Sequence, residues 1–589
     1  MTIGDSAPAL ALRPPLGEHV RRYVPALDWL RRYRRQDLSG DAMAGLIVAI
    51  MLVPQGMAYA QLAGLPPQAG LYASIVPLVL YGLLASSRYV NMGPTAISSL
   101  LVATGIGQLA AEGNAEYWDL ALVLAFLVGI IRIVMGLLGV GFLVNFLSHS
   151  VLAGFTSAAV LIIGASQVEH LLGIDVSRFG TLHEALISIL GRAAGTNPIT
   201  LAIGLTSAAL LYYFRGPLPR QLRRWRVPPT IREPVTRAAP LAVVALTTVL
   251  VWGLGLDRSA AVRIVGEIPS GLPPLTLPSF DLGRWQALLP SALAISLVGY
   301  VESISSAKTL ASKRRERLDA NQELLATGAA NLGAAFTGGY PISGSFSRSA
   351  VNFAAGARTG LSNVVTAAAI TLTVLFLTPL LYFLPQAALG AIIIAAIFGL
   401  VDIAFLRLVW RYSQADTAAL LITFLAVLEL GVERGILVGI VASLALYLWR
   451  TSHPHVAVVG RLGSSEHFRN VKRYPVQTHP HILAIRVDSS LYFANANIFC
   501  DLLRASLADR PEIRHVVLIG SSVNFIDASA VEALDSLVQE LRDAGVAFHL
   551  ADFKGRVMDR LDRVGFASRM GEGRIFLSAH EAILALGPE

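Results

Sequence analysis

Cysteine is almost absent from this 589-residue chain, with Cys500 standing alone. That excludes an intrachain disulfide framework and any cysteine-built metal cluster. Charge is scarce too: 15% of residues carry it, against about 25% in an ordinary soluble domain. The histidines are scattered, without metal-ligand spacing and without a Ser-His-Asp arrangement. No P-loop and no GxGxxG follow any predicted strand, which argues against nucleotide hydrolysis. These absences point away from an enzyme, a resident cofactor and a metal site. The Arg-rich first forty residues lack a continuous apolar core and do not read as a cleavable signal.

What remains is apolar. Hydrophobic residues make up 54% of the chain, arranged in segments near the ~20-residue length of a membrane crossing or shorter. We number them 1 to 7 at about 41–60, 70–87, 94–109, 118–140, 147–169, 197–215 and 238–256. Segments 8 to 14 fall at about 287–307, 321–337, 346–358, 363–384, 387–403, 415–431 and 433–450. Seven and seven is an odd number per half, which turns the two halves into opposite orientations. The net charge of +8 sits in clusters flanking these segments. Arg21, Arg22, Arg31, Arg32, Arg34 and Arg35 precede segment 1, a second cluster runs from Arg215 to Arg237, and a third from Lys308 to Arg317. Counted from a cytoplasmic N-terminus, all fall inside, as the positive-inside rule requires. The stretch 257–285 falls outside. The basic balance is therefore topological, and no nucleic-acid partner is expected. Residues 1–40 read as a cytoplasmic lead-in, with Asp41 placed to cap segment 1.

Two stretches break the apolar pattern. Gly338–Gly360 reads GGYPISGSFSRSAVNFAAGARTG, with four serines and two arginines, Arg348 and Arg358, amid membrane-length segments. Irregular backbone at that depth is tolerated where protein buries it or it lines a watery cavity. An intramembrane arginine defaults to a functional reading. An extended piece followed by a half-helix starting near Ser345 to Arg348 presents free N–H groups and about +0.5 elementary charge. Beside an arginine this is an anion site; the alternative is a cytoplasmic loop with Arg348 snorkelling to lipid phosphates. Asn91–Ser99, NMGPTAISS, repeats the pattern in the first half. Paired Gly/Pro-interrupted short segments point to the binding site of an inverted-repeat transporter. Candidate substrate contacts are Thr95, Ser98 and Ser99 from one stretch, and Ser345, Phe346, Ser347 and Arg348 from the other.

Gln55 and Tyr59 are four apart in segment 1 and share a helix face. Their amide and phenol suit an oxyanion that sheds water; interhelical hydrogen-bonded packing is the alternative. In segment 8, Gly299, Glu302 and Ser306 form a small, polar stripe. Desolvation favours the neutral form of a carboxyl group, so Glu302 is a candidate proton carrier, with a structural partnership to Arg348 or a sodium site as alternatives. Arg132, Glu429 and Glu433 read as span-end or packing residues.

After Arg450 the composition changes. Residues 451–480 read as a polar linker, and 481–589 as a small soluble α/β domain in which strands alternate with amphipathic helices. Asp527 sits at a helix N-cap position with Ser529 two residues on; a plain cap and a recognition or phosphorylation site are the two readings.

Pro54–Ala60, Leu65-Pro66-Pro67 with Gly70-Leu71-Tyr72, Gly93-Pro94 with Ser99, Glu302-Ser303-Ile304-Ser305 and Gly344–Asn352 together resemble the sulfate permease family of anion transporters. The C-terminal 480–586 is similar to its STAS domain. The resemblance implies a polytopic α-helical membrane protein of seven-plus-seven inverted repeats over 41–450, with a core domain rocking against a gate domain, followed by a cytoplasmic STAS domain. It implies homodimers in the cell membrane and a substrate held between segments 3 and 10, with 1 and 8 alongside. ESISSAK, LDANQEL and SGSFSRSAVN look most similar to plant-type sulfate members, in which the matching glutamate is linked to proton coupling. Residue by residue, Gln55, Tyr59, Ser99, Ser347 and Arg348 fall on anion-contacting positions and Glu302 on the coupling position. The implied activity is proton-coupled sulfate uptake. Sodium–bicarbonate or dicarboxylate symport and an uncoupled exchanger or channel are the alternatives, along with a STAS module that binds a regulatory protein or nucleotide. Asp527 and Ser529 match the phosphorylatable position of soluble STAS proteins, with Ala530 where glycine is usual.

Overall fold

The computed structural model describes residues 23–142, 148–175, 182–228, 232, 235–236 and 238–587. Arg21, Arg22 and Arg237 of the basic clusters, the first part of the N-terminal lead-in and the last two residues lie outside these, as does the Glu433 side chain. The chain forms two compact units, Met1–Ser443 and Leu444–Glu589.

Every expected apolar segment is helical. In order they are Arg35–Leu62; Pro67–Tyr72 with Val76–Leu84; Ala96–Ile106; Ala115–Leu137; His149–Leu172; Pro198–Arg215; and Ala239–Leu254. The second seven are Leu282–Arg314; Ala320–Phe336; Phe346–Ala354; Leu361–Leu372, continuing as tighter and wider turns to Leu381; Gln386–Ile397; Gln414–Leu430; and Val432–Ser452. Among the described residues, seven helices are long and apolar enough to cross a membrane, or eight with the bent pair Pro198–Arg215 and Pro217–Arg224. The other segments form shorter helices. At about 1.5 Å per residue, segments 3 and 10, with 11 and 9 residues, reach only about halfway through a ~30 Å core. Extended backbone completes their path.

The packing repeats with a period of seven segments. Segment 4 packs on 8 and 9 as 11 packs on 1 and 2; segment 3 packs on 8 as 10 packs on 1; and 5 packs on 13 as 12 packs on 6. The pairs 2 with 9, and 5 with 12, map onto themselves. This is the contact pattern of a seven-plus-seven repeat. Segments 1–4 and 8–11 form one helical group and 5–7 with 12–13 another. The main contacts between the groups break the symmetry: they run from segment 1 to 7 and 12 and from segment 3 to 5. Close approach within the first group uses glycine, since a Cβ on Gly328 of segment 9 would lie 2.9 Å from the Gly129 carbonyl oxygen of segment 4. Small residues let membrane helices pack backbone to backbone.

Asp41 does not cap segment 1, which begins six residues earlier; Asp37 there accepts from the Arg34 N–H at 3.0 Å. The Arg35–Gly40 stretch, polar enough to read as lead-in, already follows the helix. Asp41 is fully buried and accepts from the backbone N–H groups of Arg358 and Thr359 at 2.7 and 3.0 Å and from the Thr359 hydroxyl at 2.6 Å. It ties segment 1 to the entry of segment 11.

The second unit holds a six-stranded sheet in the order β4-β3-β5-β6-β7-β8. Its strands are β3 Val456–Arg461, β4 Phe468–Asn470, β5 Ile482–Val487, β6 His515–Ile519, β7 Ala547–Ala551 and β8 Ile575–Phe576. β5 to β8 are parallel, while β3 pairs antiparallel with β4 and β5. The expected linker 451–480 is therefore corrected: it supplies both antiparallel strands. Val456 to Val459 is a short apolar run in polar surroundings, and an edge hairpin needs only one buried face. Alternate residues serve the two faces. Leu483, Ile485 and Leu518 share a core with Phe499, Leu534 and Leu537, whereas Ile482, Ala484 and Val517 pack with Phe576, Ala579 and Ala582.

Candidate functional site

Segments 3 and 10 meet through two-residue strands. β1, Met92–Gly93, pairs antiparallel with β2, Ser343–Gly344, in the register Met92 to Gly344 and Gly93 to Ser343. Gly93 sits at φ +148°, which glycine adopts readily and L residues rarely do. Thr95 caps segment 3 by accepting from the Ser98 N–H at 3.3 Å. Segment 10 starts one residue after β2, behind Ser345, whose N–H donates to the Asn91 carbonyl at 3.1 Å. Two helix N-termini, each with free N–H groups and partial positive charge, thus leave one strand pair.

Arg348 lies in the first turn of segment 10 and is fully buried, so it does not snorkel. Its Nε donates to Asn91 Oδ1 and its Nη1 to the Pro94 carbonyl, each at 2.9 Å. Asn91 is held in turn by its Nδ2 donating to Asn363 Oδ1 at 2.9 Å. Nη2 of Arg348 has no hydrogen-bond partner. A Cβ on Gly93 would stand 3.3 Å from it, so the glycine also keeps space in front of the guanidinium.

Glu302, on segment 8, faces the same strands. Ser343 Oγ donates to Glu302 Oε2 at 3.0 Å, and Thr95 Oγ1 lies 3.4 Å from the same oxygen. Ser343 Oγ is also 2.8 Å from Thr95 Oγ1 and 2.9 Å from Ser98 Oγ. Ser99 Oγ lies 3.1 Å from the Tyr340 hydroxyl. Arg348 and Arg132 are the cations whose charge reaches the Glu302 carboxyl group. Tyr59 is buried and lies in the field of Arg348, Glu302 and Arg215. Gln55, one turn earlier, is buried with its Oε1 unpartnered. Ser345 is buried with its Oγ 3.2 Å from Ser347 Oγ, while Ser347 and Phe346 are exposed. In the second unit, Asp527 accepts from the Ala530 N–H at 2.8 Å and the Phe493 N–H at 2.9 Å. It is a helix cap that also fixes the neighbouring loop, with Ser529 exposed beside it.

Sequence reasoning missed Ser343, Asn91 and Arg132. Arg132 is no span-end residue: it is fully buried, and donates to the Ile295 carbonyl of segment 8 at 2.9 Å and to the Ile342 carbonyl, next to Ser343, at 3.2 Å. A Cβ on Gly299 would lie 2.5 Å from its Nη2, which explains the small residue in the Gly299, Glu302, Ser306 stripe. The intramembrane-charge argument applied to Arg348 holds equally for Arg132 and was the available signal.

A family model described as the sulfate permease family matches residues 38–423, and a STAS domain model matches 473–582. A protein named probable sulfate transporter 4.2 from Arabidopsis thaliana is 38% identical over 95% of this chain and 83% of its own length. High affinity sulfate transporter 2 of Stylosanthes hamata is 33% identical over 96% of this chain and 86% of its own. Among solved structures, the murine Solute Carrier 26 family member A9 anion transporter in the inward-facing state superposes with a TM-score of 0.89. It covers 99% of both chains at 25% identity.

Proposed function

The chain belongs to the sulfate permease family, and from that premise we propose that this multi-pass membrane protein carries sulfate together with a proton, Glu302 being the proton carrier. The observation that carries the reading is the unpartnered Nη2 of buried Arg348, in front of two helix N-termini. A buried cation with an open donor is expensive unless an anion completes it. The names of the Arabidopsis and Stylosanthes relatives favour sulfate as that anion.

The charge count supports coupling. The charges of Arg348 and Arg132 are felt at Glu302, so the region holds two cations and one carboxyl group. Sulfate brings two negative charges and balances both arginines when Glu302 is neutral. With Glu302 ionised, one negative charge stays uncompensated in a partly buried site, which is unfavourable and grows more so as the site closes. Sulfate binding and protonation of Glu302 therefore favour each other, and the linkage is reciprocal. Gln55, Tyr59, Thr95, Ser98, Ser99, Ser345 and Ser347 supply hydroxyl and amide groups in place of lost hydration, with Phe346 at the rim.

Access would alternate by movement of one helical group against the other. The contacts of segments 1 and 3 with 7, 12 and 5 would be exchanged for their repeat-related counterparts, 8 and 10 with 14, 5 and 12. By the positive-inside rule the N-terminus and STAS domain would face the cytoplasm, and the family resemblance favours a homodimer in the cell membrane. Asp527 and Ser529 are the place for a regulatory protein or nucleotide to act. Uptake of radiolabelled sulfate into liposomes, with and without an inward proton gradient, tests the reading. Proton-stimulated uptake supports it; uptake indifferent to the gradient supports an exchanger or channel. Competition by bicarbonate, dicarboxylate or chloride names another substrate.

A further inference from the structure

The connection from segment 7 to segment 8 falls opposite the basic clusters by the charge argument, yet its second half is apolar. Residues 268–280, IPSGLPPLTLPSF, carry no charge and form neither helix nor strand. Thr276 pins this strap to the end of segment 9. Its N–H donates to the Phe336 carbonyl at 3.0 Å and its hydroxyl to the Ala335 carbonyl at 2.8 Å. Both are last-turn carbonyls, which a helix leaves without internal partners. The leucines on either side of Thr276 are uncovered, Leu275 being 92% and Leu277 79% exposed, and Phe280 is 66% exposed. A contiguous apolar patch of this kind marks an interaction surface.

The strap runs beside the spanning helices. Arg284, in the first turn of segment 8, pairs with Asp119 of segment 4 at 2.5 Å, and this pair marks the polar end of both helices. Phe126 lies about two turns further into segment 4, and the Phe280 ring packs edge-on against it with centroids 5.7 Å apart. One turn beyond Phe126, Ile130 is exposed, as are Leu289 and Leu293 of segment 8. On spanning helices such faces meet lipid, so Phe280 continues a lipid-facing surface. Trp285 stands beside it, its indole N–H donating to the Ser279 carbonyl at 3.0 Å; tryptophan favours this level of a membrane. Four of the thirteen strap residues are prolines, with no N–H to leave unsatisfied where water is scarce.

We propose that the 268–280 strap is an interfacial membrane anchor, with Leu275, Leu277 and Phe280 dipping into the leaflet opposite the basic clusters. The partner is the lipid itself, because the patch extends a lipid-facing surface and offers no charge for a polar partner to recognise. The proposal rests on the multi-pass architecture and is independent of the substrate and of proton coupling. Tied to segment 9 and running into segment 8, the strap gives that helical group its own hold on the bilayer.

Depth-dependent fluorescence quenching tests this on the full-length protein in phosphatidylcholine liposomes. Cys500 is buried and is replaced by serine. Leu277→Cys then carries a nitrobenzoxadiazole fluorophore, with Leu275→Cys as a second reporter; both side chains are exposed, so neither replacement disturbs packing. Arg258→Cys, at an exposed position earlier in the same connection, is the aqueous control. Nitroxides held at two heights on the lipid acyl chains should place the reporters at 275 and 277 about 5–10 Å into the interface. Iodide should scarcely quench them, whereas it should quench the control strongly. Leu275→Asp should expose the reporter at 277 to iodide and weaken its quenching by lipid nitroxides. Iodide quenching at 277 equal to that at 258 would mean a loop in water. A reporter shielded from both quenchers would mean that protein, such as a second copy of the chain, covers the strap. Either result overturns the proposal, as does a reporter that Leu275→Asp leaves unchanged.

Discussion

Ser343 donates its hydroxyl to Glu302 Oε2 at 3.0 Å, and this bond joins the strand pair to segment 8. A serine has one proton and two lone pairs. When it donates to an ionised Glu302 it must accept from Thr95 and Ser98, which lie 2.8 and 2.9 Å away. A protonated Glu302 can donate instead, and the chain of hydroxyls can turn round. The state of the carboxyl group is thereby felt at both half-helix N-termini.

Ser343→Ala should cut proton-driven sulfate uptake about tenfold to a hundredfold, because hydrogen bonds to charged groups contribute about 1.5–3 kcal/mol. Initial rates in liposomes with an inward proton gradient measure it, with thermal stability as the control for folding. Unchanged uptake would remove the hydroxyl chain from the account.

Arg348→Lys should fail nearly as completely as Arg348→Gln. The guanidinium spans Asn91 and the Pro94 carbonyl and still keeps Nη2 free; an ammonium is a point charge that cannot hold this fork. Sulfate binding measured at equilibrium should weaken by more than about tenfold in both variants. Retained affinity in the lysine variant would mean that charge alone, without the fork, holds the anion.

These two predictions involve residues of unequal legibility. Arg348 stood out because an arginine inside an apolar half is costly. Ser343 did not, since a serine in a stretch of four carries no individual signal until β2 brings it opposite Gly93. Asn91 read only as part of a turn, and its role depends on Asn363, 272 residues away. The helices were legible because apolar length reports them directly. Strands β3 and β4 were not, because edge strands bury one face and their flanks are polar. Asp41 misled for a related reason: a carboxylate near a helix start looks like a cap, whereas its real partners are N–H groups beyond residue 350.

The soluble domain should lose stability on acidification. His549 is buried, its Nδ1 accepts from the Arg574 N–H at 3.0 Å and its Nε2 is 3.2 Å from His515 Nδ1. Burial, with the His515 and Arg574 charges, pushes its pKa down from 6.5 to about 4. Between those values the unfolded chain binds the proton that the folded chain refuses, so stability falls as pH drops through that window. Melting residues 453–589 from about pH 7 to about pH 5 should show a falling Tm, flatter in His549→Asn. Equal slopes would assign the acid sensitivity to other groups.

The most direct measurement concerns Glu302 itself. Glu302→Gln keeps the shape and the neutral charge of the protonated side chain, still accepts from Ser343, and cannot release a proton. Counterflow and pH-driven uptake are measured in the same liposomes. The account predicts that the glutamine variant binds and exchanges sulfate but no longer concentrates it when protons flow inward. If the variant still accumulates sulfate against its gradient under an inward proton gradient, Glu302 is not the coupling group.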